Sequence, residues 1–468
     1  MLSFAPVRII LIISLLAFFS SCEKGSFNSG ADAKLSFSED TLHFDTVFTT
    51  TGSITLQFKV RNENEENILI SSIRLMGGNS SPFAVNINGI AATEVTGVEL
   101  EGNDSLYVFV SVTVNPNTSN LPFLLRDSIG ISWNGNKRFV QLEAYGQNAR
   151  FLRNVSIHAD TVLNNTLPYV IIGPLVIDSG VTLEAAAGSR FYFHANGSLQ
   201  INGSLHVNGT NTDRVIFTGD RLDEFYKDLP GSWTGIEFTA SSRNNILSYG
   251  SVKNALNGIK CSGMVSSGDK VRLQQCIIDN CSAAGILSNN SSLRAENCLI
   301  SNCGANFIAK RGGQYQLIHC TLATYSNQFI THGDPVLFLS DAEEPGNPAS
   351  ATEALNAGFT NCIFWGSDGF VDDEIVTHKQ GNQFSVTLDH CLYKAQTDPS
   401  DVMANSVLKN LDPSFDSVDT QENYFDFRIT HNPQAPGLNA GTTTSLLTDL
   451  DGNNRNVGSP DLGCYEKQ

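Results

Sequence analysis

Acidic side chains gather in the last third of the chain, close to a tryptophan. Asp372 and Asp373 belong to a run of three acids. Trp365 precedes the run and Asp389–His390 follows it. Clustered carboxylates can hydrolyse a glycosidic bond, one protonated as the acid and one ionised to activate water. Consecutive acids, however, alternate sides on a strand or lie in a loop. We therefore interpret the run as solvated loop charge on a candidate binding surface, and we assign no catalytic residue.

A polar residue stands directly before each cysteine of a repeated column, at Gln275, Asn297, His319, Asn361 and His390. If the cysteines point into a core, the alternation of a strand places this polar column outside. Exposed polar side chains at equal height could hydrogen-bond a sugar chain, or they could only be solvated, which is the preferred interpretation. His319 and His390 could bind a metal, but no carboxylate is aligned with them, so the metal signal is weak.

The cysteine column also reveals a repeat. CIIDNC (276–281), CLISNC (298–303) and CTLATY (320–325) start 22 residues apart, and a fixed period of this size marks a solenoid. Apolar and polar residues alternate around them, which predicts two short strands per unit separated by Asn, Ser and Gly. A leucine-rich repeat has a similar period, but it needs a leucine ladder and a helical return. The pattern therefore favours a parallel β-helix.

Nine cysteines follow Cys22, and export would allow them to form disulfides. Coils about 4.8 Å apart keep aligned Cβ atoms farther apart than a disulfide usually requires. An odd number and two columns of different membership also argue against a disulfide framework. We expect buried, stacked free thiols.

No cofactor is predicted. A CxxC or Cys/His zinc pattern is absent from the sequence. Asp449, Asp451 and Asn453 have the spacing of a Ca²⁺ loop, but no Glu follows at the twelfth position, so packing of a terminal segment is preferred to calcium binding. Asn280 and Asn302 each precede a cysteine of the second column, and we interpret them as a side-chain amide ladder at a turn.

The N-terminus predicts export and a lipid anchor. Arg8 precedes an apolar run from Ile9 to Phe19, which is too short to span a bilayer and indicates a signal sequence. Phe-Ser-Ser-Cys, ending at Cys22, resembles a lipobox, so residues 1–22 form a lipoprotein signal and 23–33 a tether. The formal charge is −18, with no Lys/Arg cluster, which disfavours nucleic-acid binding through phosphate contacts.

Residues 34–148 contain about seven strand-like segments, which predicts a β-sandwich. Phe44-Asp45-Thr46-Val47, VRNENEENILISSIRL, VTVNPN and VQLEAYG resemble the ASPM-and-hydin-type immunoglobulin-like domain. The resemblance implies a spacer or adhesion module and transfers no catalytic residue.

Residues 149–430 are expected to form the solenoid. GSLQIN and GSLHVN (197–208) are hexads, which also build left-handed β-helices, but the 22-residue spacing favours the right-handed form. VTLEAAAGSRFYFHANGSLQINGSLHVNG and WTGIEF resemble the opening coils of the pectate-lyase-like right-handed parallel β-helix superfamily. The hydrolase patterns of that superfamily, Asn-Thr-Asp, Gly-His-Gly and Arg-Ile-Lys, are absent. Residues 333–358 and 368–384 stretch the repeat and are expected to protrude as loops that carry specificity.

Residues 431–468 are expected to cap the solenoid, since an open coil exposes unpaired strand edges. DLDGNNRNVGSPDLGCYE resembles the terminal segment of Bacteroidota β-helix lipoproteins. We expect an outer-membrane lipoprotein that presents a non-catalytic surface for a polysaccharide or a surface protein. The candidate surface residues are His319, Trp365, Asp372, Asp373, Asp389 and His390. A polysaccharide lyase or glycoside hydrolase is the alternative.

Overall fold

The computed structural model describes residues 26–49, 52–224, 226–429, 431–455 and 457–468. The predicted signal sequence and Cys22 lie outside these residues. The chain forms two compact units, divided between Asn148 and Ala149. Strands provide almost all of the regular structure, so the all-β fold class is confirmed. Within the described residues, no helix is long and apolar enough to cross a lipid bilayer.

The first unit packs two five-stranded sheets around one core. Its strands are β1 (Leu35–Phe37), β2 (Thr41–Phe48), β3 (Leu56–Asn62), β4 (Ile68–Leu75), β5 (Phe83–Ile87), β6 (Ile90–Ala91), β7 (Glu94–Leu100), β8 (Ser105–Val112), β9 (Phe123–Trp133) and β10 (Asn136–Gln147), with a 3-10 turn at Gly78–Ser80. The strand orders are β1-β3-β8-β5-β6 and β2-β10-β9-β4-β7. Alternate residues such as Phe58 and Ile131 are buried between the sheets, which confirms the β-sandwich. Its immunoglobulin-like identity remains a prediction.

The second unit is built on a 26-stranded sheet whose strands pair in parallel. They are β11 (Arg150–Ile157), β12 (Thr161–Leu163), β13 (Tyr169–Ile177), β14 (Thr182–Ala186), β15 (Arg190–Phe193), β16 (Ser198–Ile201), β17 (Ser204–Asn208), β18 (Val215–Gly219), β19 (Gly235–Phe238), β20 (Asn245–Ser248), β21 (Gly250–Lys253), β22 (Asn257–Ser262), β23 (Val271–Gln274), β24 (Ile277–Asp279), β25 (Ala284–Glu296), β26 (Leu299–Ser301), β27 (Ala305–Ile318), β28 (Thr321–Tyr325), β29 (Leu337–Ser340), β30 (Leu355–Thr360), β31 (Ile363–Ser367), β32 (Ile375–His378), β33 (Phe384–Asp389), β34 (Leu392–Tyr393), β35 (Val402–Asn405) and β36 (Leu408–Lys409). The parallel β-helix is thus confirmed.

Each coil contributes three strands, one more than the sequence repeat predicts. Face A holds β16, β19, β22, the first halves of β25 and β27, β29 and β32. Face B holds β14, β17, β20, β23, the second halves of β25 and β27, β30, β33 and β35. Face C holds β15, β18, β21, β24, β26, β28, β31, β34 and β36. The third strand escapes sequence reasoning because faces A and B merge into the single long strands β25 and β27.

Residues at the corners of the coil adopt a left-handed backbone. Between faces B and C, φ is +52° at Asn297, +51° at His319 and +56° at Asn361. Between faces C and A, φ is +56° at Asn280 and +46° at Asn302. Asparagine tolerates this conformation better than most residues, because its short side chain can hydrogen-bond locally. The recurring polar residue before each cysteine is therefore a requirement of the turn.

The cysteines are free and buried, as expected. In register, thiols of one column follow one another from coil to coil, at Cys276, Cys298, Cys320, Cys362 and Cys391. Burial raises the pKa of Cys298 and Cys320 well above the ordinary value. Thiols held in this state are poor nucleophiles, because the thiolate is the reactive form. The column is core packing.

The stretched intervals are only partly loops, which corrects the prediction for 333–358 and 368–384. Each contains a strand of face A, β29 in the first interval and β32 in the second, and the two strands pair with each other. The extra residues flank these strands. The correction follows from the solenoid itself, since a coil without its face A strand would leave the strand below unpaired.

Residues 410–468, called the return segment from here on, lie along the side of the solenoid. Their backbone oxygens meet progressively earlier coils: Thr442 accepts from Asn361, and Thr448 accepts from Asn297. The segment also contains a hairpin of β37 (Ser417–Asp419) and β38 (Tyr424–Asp426). The last strand of the parallel sheet ends at Lys409, before the boundary at 430 that the sequence predicts.

A buried ion pair and a carboxylate hold the return segment in place. Arg455 donates to Asn297 Oδ1 at 2.8 and 3.0 Å and pairs with Glu466 at 3.0 Å. Asp449 accepts four hydrogen bonds, from the backbone of Asp451, Asn453 and Glu466 and from the Asn453 side chain. Its oxygens are therefore occupied by N–H donors, which supports packing over the Ca²⁺ loop.

The thiol arrangement gives a first prediction. In protein beginning at Glu23, all nine cysteines should react slowly with a thiol reagent such as DTNB while the fold persists, because they are buried. In guanidinium chloride without reductant, nine thiols per chain should react. A count below nine after unfolding would contradict the free-thiol assignment.

Candidate functional site

The structure buries two of the residues predicted to form a binding surface. His319 is fully buried beneath the return segment, where its Nε2 lies 2.9 Å from Asn361 Nδ2. Trp365 is only 9% exposed and packs in a hydrophobic cluster with residues of the same segment. The predicted exposed polar column is therefore wrong at its centre. The column does point away from the coil interior, but the return segment covers it.

The remaining predicted residues do not converge. Asp373 Oδ1 accepts the backbone N–H groups of Gln396 and Thr397, which follow β34. Asp389 lies 3.0 Å from His390, and this pair precedes β34. The two groups thus stand at opposite ends of a face C strand. Asp372 is exposed, so loop charge describes it correctly.

Glu374, the third acid of the run, has a structural partner that the sequence did not suggest. It is fully buried, and its Oε1 lies 2.9 Å from Nε2 of His332, which is also buried. His332 belongs to the segment before β29 and Glu374 to the segment before β32. The pair therefore ties two insertions together and is closed to a substrate.

A groove of about 310 Å³ opens on face C at an earlier level of the solenoid. Its floor is formed by β24 and β26 and by the corner residues that follow the face C strands. One wall is the loop before β19, and the other is the return segment. The lining residues are Asp228, Lys253, Asn254, Ile277, Asp279, Asn280, Leu299, Ser301, Asn302, Asn423, Tyr424, Phe425, Phe427 and Tyr465.

Three polar residues of the floor belong to one column. Lys253 is in register with Asp279, and Asp279 with Ser301. Asp279 forms an ion pair of 3.1 Å with Lys253 and accepts the Ser301 hydroxyl at 2.7 Å. The Asp279 carboxylate, with a smaller contribution from Asp228, raises the pKa of Lys253. Both charges of the pair are thus neutralised within the floor.

The corner residues Asn254 and Asn280 of the floor form an amide ladder, whereas the sequence predicts one between Asn280 and Asn302. Asn280 Nδ2 donates to Asn254 Oδ1 at 2.8 Å and to the carbonyl of Asp228 at 2.7 Å. Asn254 Nδ2 donates in turn to the carbonyl of Lys227 at 2.6 Å. The ladder therefore anchors the loop wall to the corner of the solenoid.

The aromatic wall is held in place by stacking. Phe425 and Phe427 lie parallel with ring centroids 5.9 Å apart, and each stacks on Tyr325 of face C at 6.2 and 6.3 Å. These contacts fix β38 on the solenoid. Tyr424 is 60% exposed and lines the groove. An accessible aromatic ring on a fixed strand is suited to stacking against a ligand.

The chemistry of the groove favours binding over catalysis. Asp279 is committed to Lys253 and Ser301, whereas glycoside hydrolysis needs one protonated and one ionised carboxylate that are free to act. The part of the chain that the structure describes holds no group of three or more His, Cys, Asp or Glu side chains that could bind a metal. What the groove offers is amide, hydroxyl and aromatic groups.

Sequence reasoning missed this groove for a topological reason. Of its floor residues, only Asn280 and Asn302 are singled out by the sequence pattern. Its walls come from the loop around Asp228 and from the hairpin around Tyr424, which are far apart in sequence. The one available signal was the aromatic run Tyr424-Phe425-Asp426-Phe427.

No protein-family model matches the chain, and no curated protein matches it. Among solved structures, a family 123 glycoside hydrolase from Clostridium perfringens is 11% identical with a TM-score of 0.18, covering 25% of this chain and 26% of the hydrolase. A PapD-like domain of human CEP192 is 10% identical with a TM-score of 0.17, covering 27% of this chain and 91% of the domain. The catalytic domain of a GH87 α-1,3-glucanase, solved with nigerose, is 12% identical with a TM-score of 0.15, covering 85% and 93%. Similarities this weak say nothing about the activity of this chain.

The burial of His319 gives a second prediction. Burial, with the nearby positive charge of Arg455, lowers the pKa of His319 from 6.5 to about 2. Below pH 6.5 the unfolded chain binds a proton at this histidine that the native chain does not bind. The free energy of unfolding should therefore decrease as the pH is lowered. The contribution is up to about 1.4 kcal/mol per pH unit between pH 6 and 4.

NMR of the histidine rings should show His319 neutral at pH 4. In His319→Asn the free energy of unfolding, measured in urea, should depend less on pH than in the native sequence, because the imidazole is removed. The variant should fold, since Asn occupies the matching positions 297 and 361. Titration of His319 with a midpoint near 6.5 would contradict its burial.

Proposed function

We propose that this protein is a lipid-anchored protein of the cell envelope that binds a glycan in the groove without turning it over. The observation that carries the proposal is the combination of an exposed aromatic ring, Tyr424, with a floor of amide and hydroxyl groups whose charged residues are already paired. Sugars present apolar ring faces and many hydroxyl groups, so such a lining complements them. The parallel β-helix would serve as the rigid support.

The envelope location rests on sequence alone. The apolar run before Cys22 and the lipobox-like Phe-Ser-Ser-Cys support export and lipidation, with the outer membrane as the expected site. The net charge of −18 disfavours nucleic acid and also polyanionic glycans, since no basic patch offsets it. A neutral glycan is therefore the preferred partner, ahead of a surface protein.

The binding function can be tested with protein beginning at Glu23. A glycan array should give binding to neutral glycans, and incubation with the bound glycan should release no product. Tyr424→Ala should weaken binding about tenfold, the effect expected when an aromatic contact worth roughly 1.4 kcal/mol is lost. Isothermal titration calorimetry measures the change.

Phe370→Ala is the matched control, because Phe370 is 86% exposed but lies in the insertion before β32. It should leave affinity unchanged. Loss of binding in Phe370→Ala with none in Tyr424→Ala would move the site to the insertions. Product release by the native sequence, abolished in Asp279→Asn, would instead establish a lyase or hydrolase.

The anchor can be tested independently. Cys22→Ala should shift the protein from the membrane fraction to the soluble envelope fraction, because the lipidated cysteine is the expected attachment point. Cys464→Ala removes a buried thiol that is far from the signal sequence along the chain, and it serves as the control. Unchanged membrane fractionation of Cys22→Ala would rule out lipidation at this position.

A further inference from the structure

The amide ladder on the groove floor has a gap between Asn280 and Asn302, called the open rung from here on. Asn254 and Asn280 are joined by a hydrogen bond of 2.8 Å, but in the described residues no such bond joins Asn280 to Asn302 on the next coil. Asn280 Oδ1 is buried and has no hydrogen-bond partner. Asn280 is 6% exposed and lines the groove, so an unpaired acceptor lies in its floor.

Backbone partners fix the orientation of both amides. Asn280 uses Nδ2 to donate to the carbonyl of Asp228 and to Asn254 Oδ1, which leaves its Oδ1 as a free acceptor. Asn302 uses Oδ1 to accept the Tyr325 N–H at 3.2 Å, which leaves Nδ2 to donate elsewhere. A primary amide can make both kinds of hydrogen bond at once. The open rung therefore offers one acceptor and one donor.

A group that fills this rung must donate to Asn280 and accept from Asn302. A hydroxyl does both with a single oxygen, whereas a carboxylate cannot donate and an ammonium cannot accept. Lys253 is already paired with Asp279, and Asp228 adds a further negative charge to the lining, so the groove disfavours an anion. The groove volume of about 310 Å³ is at the small end of ligand pockets, which suits a short segment of a glycan.

We infer that the groove recognises a neutral sugar through one hydroxyl that bridges Asn280 Oδ1 and Asn302 Nδ2, with a sugar ring against Tyr424. This inference rests on the proposed glycan-binding function and adds to it the ligand class and the atoms that select it. Asn280 and Asn302 are then specificity residues as well as corner residues. Uronic acids are rejected, and so is a neutral sugar that lacks the bridging hydroxyl.

The test uses protein beginning at Glu23 with cellobiose, lactose, maltose and mannobiose, followed by monodeoxy analogues of the disaccharide that binds. Binding is measured by saturation-transfer NMR and calorimetry, with digalacturonate as the anionic comparison. One deoxy analogue should bind about tenfold more weakly than its parent, since one hydroxyl hydrogen bond at each end of the bridge is lost. Digalacturonate should not bind.

Asn302→Asp isolates the donor. Aspartate tolerates the left-handed backbone and still accepts from Tyr325, but it presents no N–H to the hydroxyl. The parent disaccharide should bind about tenfold more weakly to this variant, and the deoxy substitution should cost less affinity here than in the native sequence, because only the hydrogen bond to Asn280 remains to be lost. Asn290→Asp is the matched control, because Asn290 also has a left-handed backbone, with φ +43°, and lies away from the groove. It should bind like the native sequence.

The outcomes separate the two proposals. If no neutral disaccharide binds, both fail. A second outcome is that a disaccharide binds and Tyr424→Ala weakens its binding, while Asn302→Asp keeps native affinity and every deoxy analogue binds as tightly as the parent. The glycan-binding function is then supported and the hydroxyl bridge is contradicted. In that case a water molecule fills the rung. Thermal unfolding of Asn302→Asp within a few degrees of the native sequence verifies that the variant is folded.

Discussion

The vertical register of the parallel coils is the constraint on which the second unit depends. Val271 stacks on Leu293 and Leu293 on Tyr315, so each coil must turn at the same place as its neighbour. A turn that is repeated at fixed height requires the same backbone conformation each time, and asparagine meets that requirement at the left-handed corners. The amide ladder, the thiol column and the groove floor all follow from this alignment.

The sequence was sufficient for whatever repeats locally. The spacing of Cys276, Cys298 and Cys320 predicts the solenoid, and the strand-like segments in residues 34–148 predict the sandwich. It was insufficient for contacts between distant segments. From the sequence alone His319 is predicted to be exposed, because nothing near it in sequence indicates that residues 442–466 will cover it. Glu374 reads as loop charge because its partner, His332, is 42 positions away.

The candidate site shows the same division. The sequence identified Asn280 and Asn302 as corner residues, since both precede a column cysteine, but it did not identify Asn254 as the hydrogen-bond partner of Asn280. Tyr424 and Asp228 carry no repeat signal, and only the folded chain places them on opposite sides of the same corner. The predicted surface around Asp372 and Asp389 is divided between the two ends of β34, and two of its predicted members, His319 and Trp365, are buried.

The return segment also determines when the groove can exist. The loop around Asp228 and the floor can form as the solenoid winds, but the other wall is built from the return segment, by residues from Tyr424 to Tyr465. A chain emerging N-terminus first therefore completes its coils before this wall can form. The groove is the last part of the second unit to be completed.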